Sequence, residues 1–231
     1  MKTLKLDADY GKLRLSNINS REFRHILLLL FWPIFGAVFA YTERGWEPEY
    51  FYPMYCRLDD LIPFNEFFVI PYVFWFVFLV GMLVFTFFFD VETFTRMMKF
   101  IIVTYGAALV VFFLFPNCQM LRPAVFERDN VLTRFMKDFY TMDTNTNVCP
   151  SIHVIGSFAG MFAGLRCKHF KGAGIKFAFV AIALLISAST VFLKQHSILD
   201  VVAALPVCVC GYFFAFKKQN SGKRIKEEVA V

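Results

Sequence analysis

The chain has 231 residues, is 58% apolar with 32 phenylalanines, and carries a net charge of +6. A soluble domain of this length cannot hide so much apolar surface, so composition excludes a soluble globular protein and points to a membrane protein. The positive charge does not imply a nucleic-acid partner, because the basic residues are sorted by side. Segments 1–24, 90–99, 166–176 and 217–231 hold six, two, four and five of the 24 Lys and Arg, 17 in all. The intervening loops 43–62, 116–151 and 194–196 hold 7. By the positive-inside rule both termini face the cytoplasm. These loops then face outward from the plasma or cytoplasmic membrane.

In chain order, residues 1–24 read as a polar, basic cytoplasmic arm without helical period. His25 to Tyr41 is the first apolar segment. Its long charged lead and the Trp32-Pro33 interruption favour an uncleaved signal-anchor over a signal peptide ending near Val38-Phe-Ala40. The loop 43–62 is rich in Tyr, Trp, Pro and acids, as an interfacial aromatic belt is. Phe64 to Phe89 is the second span, with a kink expected at Pro71. A charged turn (Asp90, Glu92, Arg96, Lys99) leads to the third, Phe100 to Phe115. The loop 116–151 is long enough to be functional. Within it Asn130 to Tyr140 predicts an amphipathic surface helix with Val131, Leu132, Phe135, Met136 and Phe139 on one face. The fourth span runs from Pro150 to about Leu165, too short for a hydrocarbon core, so its start should be sunk in a protein-lined cavity. Its Gly and Ala content permits close helix packing. The fifth and sixth spans are Phe177 to Leu193 and Leu199 to Phe216, joined by the tight turn Lys194-Gln195-His196. The expected fold is an all-α, six-span membrane bundle over 25–216, between the arm and a basic cytoplasmic tail, 217–231.

Two short stretches carry chemistry. Cys149-Pro150-Ser151-Ile152-His153 opens the fourth span. Pro suits the first turn of a helix, and free N–H groups there attract anions. His196-Ser-Ile-Leu-Asp200 puts an imidazole and a carboxylate at i and i+4. With Arg122 after the third span, the topology brings His153, His196 and Asp200 to one side at similar depth, whereas His25 and His169 fall on the other. Ionisable groups at membrane depth are costly and usually functional. Singly, each has a plainer role: an interfacial imidazole, a helix N-terminal acid, an arginine snorkelling to headgroups. Cys149, His153, His196 and Asp200 also form a conceivable zinc set, though no paired-ligand spacing supports a metal. Of six Cys, Cys208-x-Cys210 reads as packing. Cys56, Cys118 and Cys149 lie in outer loops, where a disulfide is open but its pairing cannot be read.

At these residues the chain resembles the type 2 phosphatidic acid phosphatase superfamily, whose helical core is haloperoxidase-like. Arg122-Pro123, Pro150-Ser151-Ile152-His153, and Ser189 with His196 and Asp200 follow the order and spacing of its three motifs. Phe115 stands where the family has Lys, Ile152 where it has Gly, and Thr190 where it has Arg. Loss of the two cations, together with Cys-Pro-Ser-x-His, is similar to the branch of inositolphosphorylceramide and sphingomyelin synthases. The resemblance implies a membrane lipid phosphatase, metal-independent and without cofactor, or a phospho-headgroup transferase. It implies His196 as nucleophile, Asp200 as its orienting carboxylate and His153 as acid and base. Arg122, Ser151 and, from the tight turn, Lys194 would bind the phosphate. The expected partners are a membrane lipid phosphate and the bilayer; the lipid and the oligomeric state are not legible.

Overall fold

A computed structural model describes residues 4–217; most of the expected basic tail lies outside the described residues. The described chain is helical, with eight α-helices and one pair of two-residue strands. Five helical segments are long and apolar enough to cross a membrane. They are Arg24–Arg44, which ends in α1 (Phe31–Arg44), and Glu66–Phe89, which contains α3 (Val69–Phe89). The others are α4 (Val91–Leu114), α7 (Ala173–Phe192) and α8 (Ile198–Ala215). At most 44% of any of their apolar windows is buried within the protein. The remaining apolar side chains face outward, where only lipid covers them without loss. The chain is an integral, multi-pass membrane protein.

The shorter α6 (Ile152–Arg166, 15 residues) sits at the centre, packed on α3, α4, α7 and α8. Small residues let it in. A Cβ added at Gly156 would lie 2.8 Å from the Trp75 indole nitrogen, and one at Gly160 would lie 2.6 Å from the Phe78 ring. Backbone therefore meets aromatic side chain directly, the close approach that small residues allow in membrane bundles.

Several element bounds differ from expectation. The charged stretch before the third span is helical: Asp90 caps α4, accepting from Thr93 N–H at 3.2 Å, and Glu92 pairs with Arg96 at 2.8 Å. Hydropathy hides these turns because it scores charge, whereas capping and i, i+4 pairing stabilise them. Pro71 lies in the first turn of α3, which runs on for 21 residues; proline is tolerated there. The N-terminal arm forms short 3-10 turns and packs. Asp7 accepts from Val91 N–H at 3.0 Å and pairs with Lys168 at 2.5 Å, while Tyr10 Oη donates to the Phe87 carbonyl at 2.6 Å.

The end of the bundle carrying the 116–151 loop is here termed the upper end. A two-residue parallel pair, β1 (Tyr52–Pro53) with β2 (Asn117–Cys118), clips that loop to the 45–65 loop. The latter also holds a one-turn helix, α2 (Arg57–Leu61), outside the expected elements. The expected surface helix is α5 (Val131–Met142), capped by Asn130. Its apolar face is divided between protein and groove. Leu132, Met136 and Phe139 pack on Val69, Tyr72 and Leu193, whereas Val131 and Phe135 are exposed. They line an apolar groove of about 600 Å³ between α3, α5 and α7. All six cysteines are free.

Candidate active site

The loop entering α6 is held by one buried side chain. Asn117 Oδ1 accepts from Val148 and Cys149 N–H at 2.8 and 2.7 Å, and its Nδ2 donates to the Cys149 carbonyl at 3.0 Å. The helix begins after Ser151, not at Pro150. Ser151 is the N-cap, its Oγ accepting from Val154 N–H at 3.4 Å, because a hydroxyl satisfies a free helix donor and proline has no such group. The Ser151 N–H also donates to the Asp200 carbonyl at 3.2 Å, joining the starts of α6 and α8. His153 follows in the first turn. Its ring lies between Tyr72 and Trp75 of α3, centroids 4.7 and 4.6 Å away.

His196 lies in the turn between α7 and α8, just before the N-cap Ser197, and not on the helix itself. Lys194 adopts the left-handed region (φ 52°) to close the turn, and the Gln195 and His196 N–H groups donate to the Thr190 carbonyl at 3.0 and 3.1 Å. Asp200, at the third position of α8, reaches back: its Oδ2 accepts from Ser197 N–H at 2.9 Å and lies 3.2 Å from His196 Nδ1. A carboxylate only accepts, so His196 carries its proton on Nδ1 and presents a lone pair at Nε2. That Nε2 lies 3.4 Å from His153 Nδ1. Asp200 is fully buried and His196 is 5% exposed, so water competes little for these contacts.

The structure thus brings together His153, His196, Asp200 and Ser151. The two expected cations are engaged by protein groups. Arg122 Nη1 donates to the Tyr140 and Asp143 carbonyls at 3.1 and 2.9 Å. Its Nη2 donates to the Thr144 carbonyl and to Gln195 Oε1, both at 2.7 Å, and the guanidinium stacks over Tyr140. Burial pulls Arg122 below the ordinary arginine range, opposed chiefly by Asp143. The Asp143 carboxyl is pushed up by burial, against the pull of Arg122 and then His196. Lys194 Nζ donates to the Asp59 carbonyl at 2.7 Å, and burial lowers its pKa. It lines an upper-end cavity of about 730 Å³ with Tyr55, Asp60 and Leu121. Neither this cavity nor the apolar groove is lined by His153 or His196.

Sequence reasoning missed Tyr72, Trp75, Asn117 and Gln195. Tyr72 and Trp75 sit three residues apart in a Phe-rich span, where an aromatic carries no distinguishing signal. The buried Tyr72 Oη, Gln195 Nε2 and Arg122 Nε have no hydrogen-bond partner among the described residues. Unmet buried donors are costly. At the two positions where the resembled motifs carry a cation, Phe115 stacks on Tyr52 and Thr190 Oγ1 donates to the Ser187 carbonyl at 2.8 Å. The Cys149 thiol is pushed up to about 12 by burial and then by the Asp200 charge. Among the described residues no three His, Cys, Asp or Glu side chains are grouped to hold a metal ion. No family model matches the chain, and no curated protein or solved structure matches it either.

Proposed function

We propose that the chain is a six-span membrane lipid phosphate or pyrophosphate phosphatase, with α6 as a short fourth span beside the five longer ones, both termini cytoplasmic and the site on the outer face. The observation that carries this is the relay from Asp200 to His196 at 3.2 Å and from His196 to His153 at 3.4 Å, at the starts of two helices. His196 Nε2 attacks phosphorus in line, forming the N–P bond as the lipid P–O bond breaks. Asp200 stabilises the resulting imidazolium and fixes the tautomer. His153 gives its proton to the departing lipid oxygen, then takes one from water, which breaks the N–P bond and releases phosphate. The N–H groups at the start of α6 and Ser151 supply donors to the non-bridging oxygens, and Arg122 and Lys194 would add charge on leaving the protein groups they bind here. The acyl chains remain in the bilayer.

Headgroup transfer is the second reading, favoured by one observation. The nearest cation, Arg122, is already offset by Asp143 at 3.5 Å, which suits a singly charged phosphodiester better than a doubly charged monoester. The experiment is an assay of purified protein on phosphatidate, phosphatidylglycerophosphate, a polyprenyl pyrophosphate and sphingolipids. Phosphate release with no acceptor supports the phosphatase. A product seen only with a ceramide- or diacylglycerol-like acceptor supports the transferase. Inactivity on every lipid phosphate, with or without acceptor, overturns both.

A further inference from the structure

We infer that Asp59, in the one-turn helix α2, is a positioning residue for His196; the inference rests on the proposed role of His196. The direction of that imidazole is set by backbone 193–197, which belongs to no regular element. On the α7 side the turn is fixed by the Thr190 carbonyl. On the α8 side the anchor comes from Asp59, 137 residues before His196 in the chain. Its Oδ2 accepts from Ser197 Oγ at 2.6 Å, and its Oδ1 accepts from Ile198 N–H at 2.8 Å. Its carbonyl accepts from Lys194 Nζ at 2.7 Å. One residue therefore grips the turn both before and after His196. Asp59 is fully buried, so water does not compete for these bonds, and Cys56 N–H donates to the same carboxylate at 2.8 Å, holding it in place.

Asp59 also divides the helix start with Asp200. The first N–H groups of any helix have no intrahelical acceptor and seek one. Here Asp59 takes the Ile198 N–H and the Ser197 hydroxyl from outside, while Asp200 takes the Ser197 N–H from inside at 2.9 Å. Asp200 Oδ2 then serves only the Ser197 N–H and His196 Nδ1, while its buried Oδ1 has no partner among the described residues. Without Asp59, the freed Ile198 N–H and Ser197 hydroxyl have Asp200 Oδ1 as an alternative acceptor, and turning that oxygen toward them rotates the carboxylate away from the imidazole. Asp59 touches no reacting atom; it keeps Asp200 on its task.

The test compares wild-type protein with Asp59→Asn and Ser197→Ala in detergent. Asn keeps the shape and one acceptor oxygen, but its amide nitrogen cannot accept from Ser197 and Cys56. Ser197→Ala removes only one of the bonds and serves if Asp59→Asn does not fold. Protein labelled with nitrogen-15 histidine gives the Nδ1–H resonance of His196, assigned by its loss in His196→Gln. Expected are a shifted or weakened His196 resonance and a kcat lower by ~10–100-fold, with KM changed less than about threefold. A lower Tm with an unchanged resonance and unchanged kcat makes Asp59 merely structural and overturns the inference. A resonance that responds in a wild-type protein inactive on every lipid phosphate and every acceptor supports the inference and removes the proposed function.

Discussion

His153 Nδ1 and His196 Nε2 face each other across 3.4 Å, although 43 residues separate them in sequence. Since His196 holds its own proton toward Asp200, the proton between the rings belongs to His153. On the proposed mechanism this contact must open when substrate binds, freeing His196 Nε2 to attack and His153, as the imidazolium, to protonate the leaving group. In the proposed in-line reaction the phosphoryl group would sit between the two rings, with His196 attacking from one side of phosphorus and His153 protonating the leaving oxygen on the other.

That geometry separates the roles by experiment. His196→Ala should abolish turnover, because no neighbouring group replaces Nε2. His153→Ala should cost ~10²–10⁴-fold on an alkyl phosphate, whose leaving alkoxide needs a proton, and far less on an aryl phosphate. Asp200→Asn should keep the fold but misplace the tautomer, with a loss on the order of 10⁴-fold in kcat. Steady-state kinetics on both substrates check this. Equal damage by His153→Ala on the two would reassign its role.

Cys149 distinguishes phosphoryl transfer from the zinc alternative. Burial and then the Asp200 charge push its thiol up to about 12, so without a metal it is protonated at neutral pH and is not a nucleophile. Cys149→Ala should retain activity within a few-fold, and chelator should leave the wild-type rate unchanged, while vanadate inhibits. Loss of activity to chelator, restored by zinc and absent in Cys149→Ala, would establish the metal.

Packing at the centre gives a stability prediction. An added Cβ at Gly160 meets the buried Phe78 ring at 2.6 Å. Gly160→Ala should destabilise the bundle by about 1–3 kcal/mol, the usual cost of overpacking, read as a lower Tm in detergent. The same substitution at Gly36, with nothing within 4 Å, should leave Tm nearly unchanged.

Sidedness follows from the 17-to-7 division of basic residues. Reporter fusions after Gly172 should read cytoplasmic, and one near Asn130 should read external. An external signal at Gly172 would invert α6 and α7 and move the histidines to the other face.

Much of this was legible from residue type. Hydropathy located the five long apolar helices, and Asn130 marked the start of α5. The spacing of His196 and Asp200 gave their contact, although it arises through a helix cap and not through two helical positions. What stayed hidden was long-range. Asp59 reads as one acid among several in an aromatic loop, and nothing local says that it grips a turn 138 residues away at Ser197. Asn117 was equally silent, because its bonds run to backbone 31 and 32 residues on. The division of the α5 stripe stayed hidden for a related reason: periodicity gives a helix its apolar face but not which edge of it meets protein and which meets the groove.

The account stands most directly on covalent chemistry at His196. Protein incubated briefly with radiophosphate-labelled lipid phosphate, then denatured in alkali, should carry label that is alkali-stable and acid-labile, as a phosphoramidate is. Proteolysis should place it on the peptide containing His196, and His196→Ala should carry none. Label on another residue, label surviving in His196→Ala, or turnover with no labelled enzyme in wild type at any quench time would contradict the account.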